Sequence, residues 1–247
     1  MIFVYFFYNI WSYTLKYQLL KITNLIHWIK NKFIQHKAFD RNEIIVDPNI
    51  IGHIRLNVQG YENYIYLSNV SVNSHSVIII DICGNNNKII LNNVYIGDKL
   101  TIRQGQDHIN FGEIHNSVFE VCSGTSIEDM RYITYNSNSY CKIGNNCMIS
   151  SSVTLFNTDA HPIIEQSTGL LINKVTGIHI GNHCWLGEKS SVLKNTSIPD
   201  NSIIGYNAVI CGKLEYEDAV YAGNPAKCVK TGITWDANGK KYGYIDN

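Results

Sequence analysis

Charge is scarce in this chain of 247 residues. Only 16% of residues are Asp, Glu, Lys or Arg, and 20 basic side chains balance 20 acidic ones to a net charge of zero. A balanced chain has no electrostatic footprint for nucleic acid. No C-x-x-C pair occurs. The seven cysteines, Cys83, Cys122, Cys141, Cys147, Cys184, Cys211 and Cys228, are odd in number and widely spaced, which argues against a disulfide framework or a zinc knuckle. Several stand where a small apolar residue would serve, as buried free thiols do, so the chain reads as cytoplasmic. Neither GxxxxGK[ST] nor GxGxxG is present, so nucleotide binding of the Walker or dinucleotide type has no loop to use.

The N-terminal stretch, positions 1–39, lacks acid altogether and carries five lysines. Val4, Tyr8, Trp11, Leu15, Leu19, Ile22, Ile26, Ile29 and Phe33 recur at spacings of three and four, which predicts an amphipathic helix over residues 1–39. Polar residues from Asn9 to Lys21 interrupt it before a membrane span accumulates, and the leading charge and cleavage site of a signal peptide are missing. The helix is expected to pack on its own oligomer or to lie on the inner face of the cytoplasmic membrane.

What the chain has in abundance is asparagine, often in runs such as Asn85-Asn86-Asn87 and Asn145-Asn146. Asparagine tolerates the left-handed backbone region, so tight corners are expected; a compositional bias would give the same count. Hydrophobic residues make up 45%, and in the second half they keep time. Ile180, Leu186, Val192, Ile198, Ile204 and Ile210 stand six apart, as do Ile143, Ile149 and Leu155. Glycine follows at Gly144, Gly181, Gly187 and Gly205. Small residues come four places after the slot: Cys184, Ser190, Thr196, Ser202 and Ala208. A period of six suits neither a helix nor an alternating strand. It fits a coil of three short strands with a corner after each, whose inward side chains stack from coil to coil. The prediction is mainly β: a parallel β-helix, regular over 141–212 with an excursion at 162–177, irregular over 40–140, and followed by a C-terminal extension over 213–247.

His161 breaks the rhythm. It falls on the slot after Leu155, within Asn157-Thr158-Asp159-Ala160-His161-Pro162, and it opens the excursion. An imidazole in an apolar slot is costly unless hydrogen-bonded. Its ordinary pKa of about 6.5 makes it a general base candidate. Asp159, two residues earlier, shares its face on an extended strand at about 7 Å, and either orients it, meets an acceptor or is a solvated corner residue.

The segments Ile180-Gly181-Asn182-His183-Cys184-Trp185-Leu186-Gly187, Asn157 to Ile163 and Ala222-Gly223-Asn224-Pro225-Ala226-Lys227 resemble the hexapeptide-repeat acyltransferases, and most nearly the bacterial polysialic acid O-acetyltransferases. The likeness is specific over about residues 141–230, weak over 40–140 and absent from the N-terminal helix. It implies a left-handed β-helix, an exception to the right-handed crossover rule. It also implies a homotrimer with active sites between subunits, and direct acetyl transfer from acetyl-CoA, without a metal, to a hydroxyl of a surface polysaccharide such as capsule or O-antigen. His161 and Trp185 are then the catalytic pair. The indole N–H of Trp185 is a lone donor, Gly187 permits close backbone approach, and the amide of Glu188 supplies the oxyanion contact. The pantetheine track falls at Tyr206 and Cys211, and the nucleotide phosphates fall near Pro225, Lys227 and Lys230, with Lys194 and Lys213 as further cations. A small acceptor such as an antibiotic or a nucleotide sugar, a non-catalytic scaffold, and a zinc lyase using His179 and His183 are the alternatives.

Overall fold

The six-residue period becomes a triangular coil. In the computed structural model, which describes residues 41–105 and 112–238, the aliphatic slots from Ile143 to Ile210 all point inward and are at most 1% exposed. Successive coils stack in parallel register: His179 pairs with Ser197, Trp185 with Ile203, and Ser191 with Val209, each partner lying three hexads further along the chain. Three short strands therefore complete a turn, and from Trp185 onward each has two or three residues with only the slot side chain pointing in. The fold is a left-handed parallel β-helix. The helix expected over residues 1–39 and the end of the C-terminal extension lie outside the described residues.

Each corner has the same local chemistry. The third residue after the slot takes positive φ: His183, Lys189, Asn195, Asn201 and Asn207 all lie between 53° and 61°. Nine of the sixteen non-glycine residues with positive φ among the described residues are asparagine, so its heavy use answers a backbone demand. Asparagine also links coils. Asn63 and Asn87 are buried, and the Asn42, Asn63 and Asn87 side chains form a ladder at 2.9–3.1 Å that continues to Ser117. The small residue at the fourth place is buried, and on one corner it donates to the carbonyl of the coil above: Thr125 Oγ1 to Gly144 O (2.8 Å), Cys147 Sγ to Gly181 O (3.2 Å) and Cys184 Sγ to Pro199 O (3.1 Å). A carbonyl left dry at the bend would cost about 1–3 kcal/mol, so a short hydroxyl or thiol is favoured over alanine there.

Before Tyr140 the coils are longer and less even. Tyr64 pairs with Lys88, Lys88 with Val118 and Val118 with Tyr140, three unequal steps that each exceed three hexads. One seven-stranded sheet nevertheless runs unbroken from Glu43–Val46 to Ser197–Ile198, so irregular and regular coils share one core. Strands Tyr95–Gln104 and Ser126–Thr134 bend around a corner and join the other two faces. Phe119 and Tyr132, both fully buried with rings 4.7 Å apart, fill the wider section. At the far end an antiparallel hairpin, Ala219–Gly223 with Ala226–Thr231, adds to Ile203–Ile204.

Candidate active site

One column of paired residues runs along a corner of the solenoid: Tyr95, Ser126, Met148, Trp185, Ile203, Val220 and Lys230. Beside it lies an open groove of about 600 Å³ bordered by Met148, Ser150, Trp185, Gly187, Glu188 and Tyr206. Trp185 is half-buried and walls this groove. Its indole N–H, a donor only, is given to Ser150 Oγ of the preceding coil at 3.1 Å. The bond tethers the ring at its Nε1 edge.

The next corner is a turn closed by Ser190 N–H on Gly187 O (3.2 Å), with Lys189 at φ 61°. Gly187 approaches backbone, but the backbone is its own: a Cβ there would stand 2.5 Å from Ile204 O, and its N–H binds that oxygen at 2.8 Å. The amide of Glu188 sits mid-turn on the groove and has no acceptor among the described residues. The Glu188 carboxylate turns instead to Lys189 (3.4 Å), whose Nζ donates to the Tyr206 hydroxyl at 2.8 Å. That hydroxyl first, and Glu188 second, hold the ammonium above its ordinary pKa.

His161 stands elsewhere. The chain leaves the solenoid after Asn157, whose N–H still binds Ile133 O at 2.9 Å. Thr158 Oγ1 accepts from Ala160 N–H (2.9 Å), Ala160 takes φ 63°, and His161 N–H returns to Asp159 O at 2.7 Å. This tight bend carries His161 off the apolar row, so the residue expected in a core slot is solvent-exposed. Asn157 and Thr158 are the residues buried at the exit. Asp159 Oδ2 is held by Lys194 Nζ (3.1 Å) and Asn173 Nδ2 (2.8 Å). The same Asn173 amide donates to His161 O (2.9 Å), and its Oδ1 accepts from Ile163 N–H (2.8 Å). Asn173 thus ties both legs of the excursion together, a role no local signal in the sequence announces. Between the legs, Ile172 N–H to Ile163 O and Glu165 N–H to Leu170 O make a short finger, with Ile163, Ile164, Leu170, Leu171 and Ile172 all 43–65% exposed. The chain is back on the ladder at Gly177, paired with Tyr140.

A second cleft, of about 410 Å³, holds His161 with Asn136, Asn138, Asp159, Asn173 and Lys174. It shares no residue with the Trp185 groove, so within one chain the two candidates face different clefts. Tyr206 lines the groove, whereas Cys211 is exposed at a different corner. Lys230 extends the Trp185 column at three strand spacings, about 14 Å. Lys227 and Pro225 are exposed on the same hairpin, and Lys194 serves Asp159. Of the histidines weighed as metal ligands, His179 points outward from the first sheet, and the His183 ring stacks on Trp235 (4.3 Å, 6°) while its Nδ1 meets Asn201 Oδ1 at 2.9 Å.

The chain is 32% identical over 191 residues to the polysialic acid O-acetyltransferase of Neisseria meningitidis, an alignment covering 72% of this chain and 87% of that protein. The crystal structure of the polysialic acid O-acetyltransferase OatWY superposes with a TM-score of 0.65 at 28% identity, over 79% of this chain and 88% of the other. The polysialic acid-specific acetyltransferase NeuO shares the fold, with a TM-score of 0.56 at 21% identity, over 77% and 90% of the two chains. No family model matches the sequence.

Proposed function

Since the chain belongs to the hexapeptide-repeat O-acetyltransferases, alongside the polysialic acid enzymes, we propose that it moves the acetyl group of acetyl-CoA directly onto a hydroxyl of a bacterial capsule or O-antigen polysaccharide, in a site shared by two subunits of a homotrimer. The observation that carries the shared site is the separation of His161 and Trp185 into different clefts of one chain. A second copy is then needed to bring an imidazole to the groove that Trp185 walls. The exposed apolar finger beside His161 supports the same arrangement, because five large apolar side chains between Ile163 and Ile172 gain from a covering surface.

The groove fits the donor. It follows the coil axis from Tyr95 to Ile203 and has Tyr206 with Lys189 at its rim, and Lys230 on the same column would serve the phosphates with Lys227. In the reaction, His161 takes the proton of the acceptor hydroxyl as its oxygen attacks the thioester carbon. The free amide of Glu188 binds the oxyanion that forms, and collapse expels the thiolate, which receives the proton back from the imidazolium. Trp185, held by Ser150, closes one side of the acyl site. The acceptor side is lined by Asn136 and Asn138, whose amides suit sugar hydroxyls. Residues 1–39 fit a peripheral contact with the cytoplasmic membrane, where such glycans are assembled; vesicle co-sedimentation with and without this segment checks it.

The test is an acetyl-transfer screen across surface glycans, polysialic acid included, and small acceptors, read by mass spectrometry. His161→Ala is expected to lower transfer by about 10²–10⁴-fold with the oligomer and melting temperature unchanged, since the side chain is exposed. Transfer that survives this substitution refutes the general base assignment.

A further inference from the structure

The C-terminal tail carries a feature that acetyl transfer does not by itself explain. Trp235, far along the chain from Trp185, folds back onto the coil corner that precedes it. Its ring lies flat on His183 (4.3 Å, 6°) and tilted against Trp185 (6.1 Å, 46°), and its Nε1–H donates to His183 O at 2.7 Å. The tail is anchored through Asn201. That side chain gives Nδ2–H to Ile233 O (2.9 Å) and to Asp218 Oδ1 (2.6 Å), while its Oδ1 receives the Thr234 hydroxyl (3.1 Å) and faces His183 Nδ1 (2.9 Å). Ile233 N–H adds a bond to Asp218 O at 3.0 Å. Three tail residues thus spend their polar contacts on one corner. Trp185 is gripped twice as a result, by Ser150 through its N–H and by Trp235 through its ring.

We propose that Trp235 is a positioning residue for acetyl transfer: clamped by Asn201 and His183, it sets the orientation of the Trp185 ring over the groove. The proposal rests on the reading of that groove as the acyl site. A free indole at a half-buried corner has several rotamers, and a wall displaced by about 1 Å costs as much as 10²-fold in a positioned reaction. A tail serving stability alone would have no need to meet the tryptophan that walls the groove beside the Glu188 amide.

The experiment uses the full-length chain. 5-Fluorotryptophan labelling gives resonances for its four tryptophans, Trp11, Trp28, Trp185 and Trp235, which single Trp→Phe variants assign. Trp235→Ala is expected to shift and broaden the Trp185 line, and so is Asn201→Gly, which keeps the left-handed backbone at φ 53° while deleting the clamp. With acetyl-CoA and the acceptor found by the screen, Trp235→Ala should lower kcat about 10–100-fold with KM for acetyl-CoA changed less than about threefold, and Trp235→Phe should recover most of it. In a Trp185→Ala background, Trp235→Ala should cost no more than about twofold, because residues acting as a unit are not additive. A Trp185 line indifferent to Trp235→Ala, or penalties that simply multiply, overturns the proposal. Full activity in Trp185→Ala refutes the reading of the groove, while the fluorine line still decides whether Trp235 holds the ring.

Discussion

Gly187 shows what a single residue can be asked to do in a stack of coils. Its missing side chain gives room to the carbonyl of Ile204, 2.5 Å from where a Cβ would stand. Gly187→Ala must therefore push two coils apart, and thermal denaturation should show a loss of about 1–3 kcal/mol. Glu188→Ala, which leaves the amide in place on an exposed side chain, should change both stability and transfer little. The turn around Gly187 was readable from the sequence because every hexad repeats it, and the motif singled out His161 and Trp185 as candidates. Side-chain partners were not readable. Ser150, Asn173 and Asn201 act across 35, 14 and 18 residues respectively, and nothing near them in sequence marks them. The burial expected for His161 failed for a related reason. Counting by six assumes the coil continues, and the bend at Ala160 ends it one residue too soon.

At the scale of elements, the hexads announce themselves because the strands from Trp185 to Ile210 are too short to hold more than one inward residue. The earlier coils, longer than three hexads and unequal, hide theirs behind longer strands and looser corners. The excursion is the element most separable from the rest. Its neck is tied by Asn173 and by the Asp159–Lys194 pair, and its finger touches the solenoid little enough to leave five apolar side chains exposed. Replacing residues 162–172 by a short glycine linker should leave the circular dichroism spectrum of the solenoid and its melting temperature within a few degrees of the parent, roughly the shift of 1 kcal/mol in a domain of this size. Transfer should be lost. Collapse of the whole fold would instead assign the finger a structural role.

At the largest scale the described coils form an apolar core that encloses Cys141 and Tyr132 completely. Burial pushes the Cys141 thiol and the Tyr132 phenol well above their ordinary values of 9.0 and 10.0. Both stay protonated in the fold at a pH where the unfolded chain has released those protons, so the unfolded state binds fewer protons and stability falls as pH rises. Melting temperature should hold up to about pH 9 and decline beyond it; Cys141→Ala should delay the decline, as thermal melts across the alkaline range will show. The register of the coils has a further consequence. Ile143 and Ile180 stand in neighbouring coils just as Ile180 and Ile198 do, although about twice as much chain separates the first pair. The extra length enters and leaves at one corner without displacing any partner above or below. The excursion is in that sense a cassette. Another of different length and composition would fit the same corner and leave the groove beside Trp185 in register.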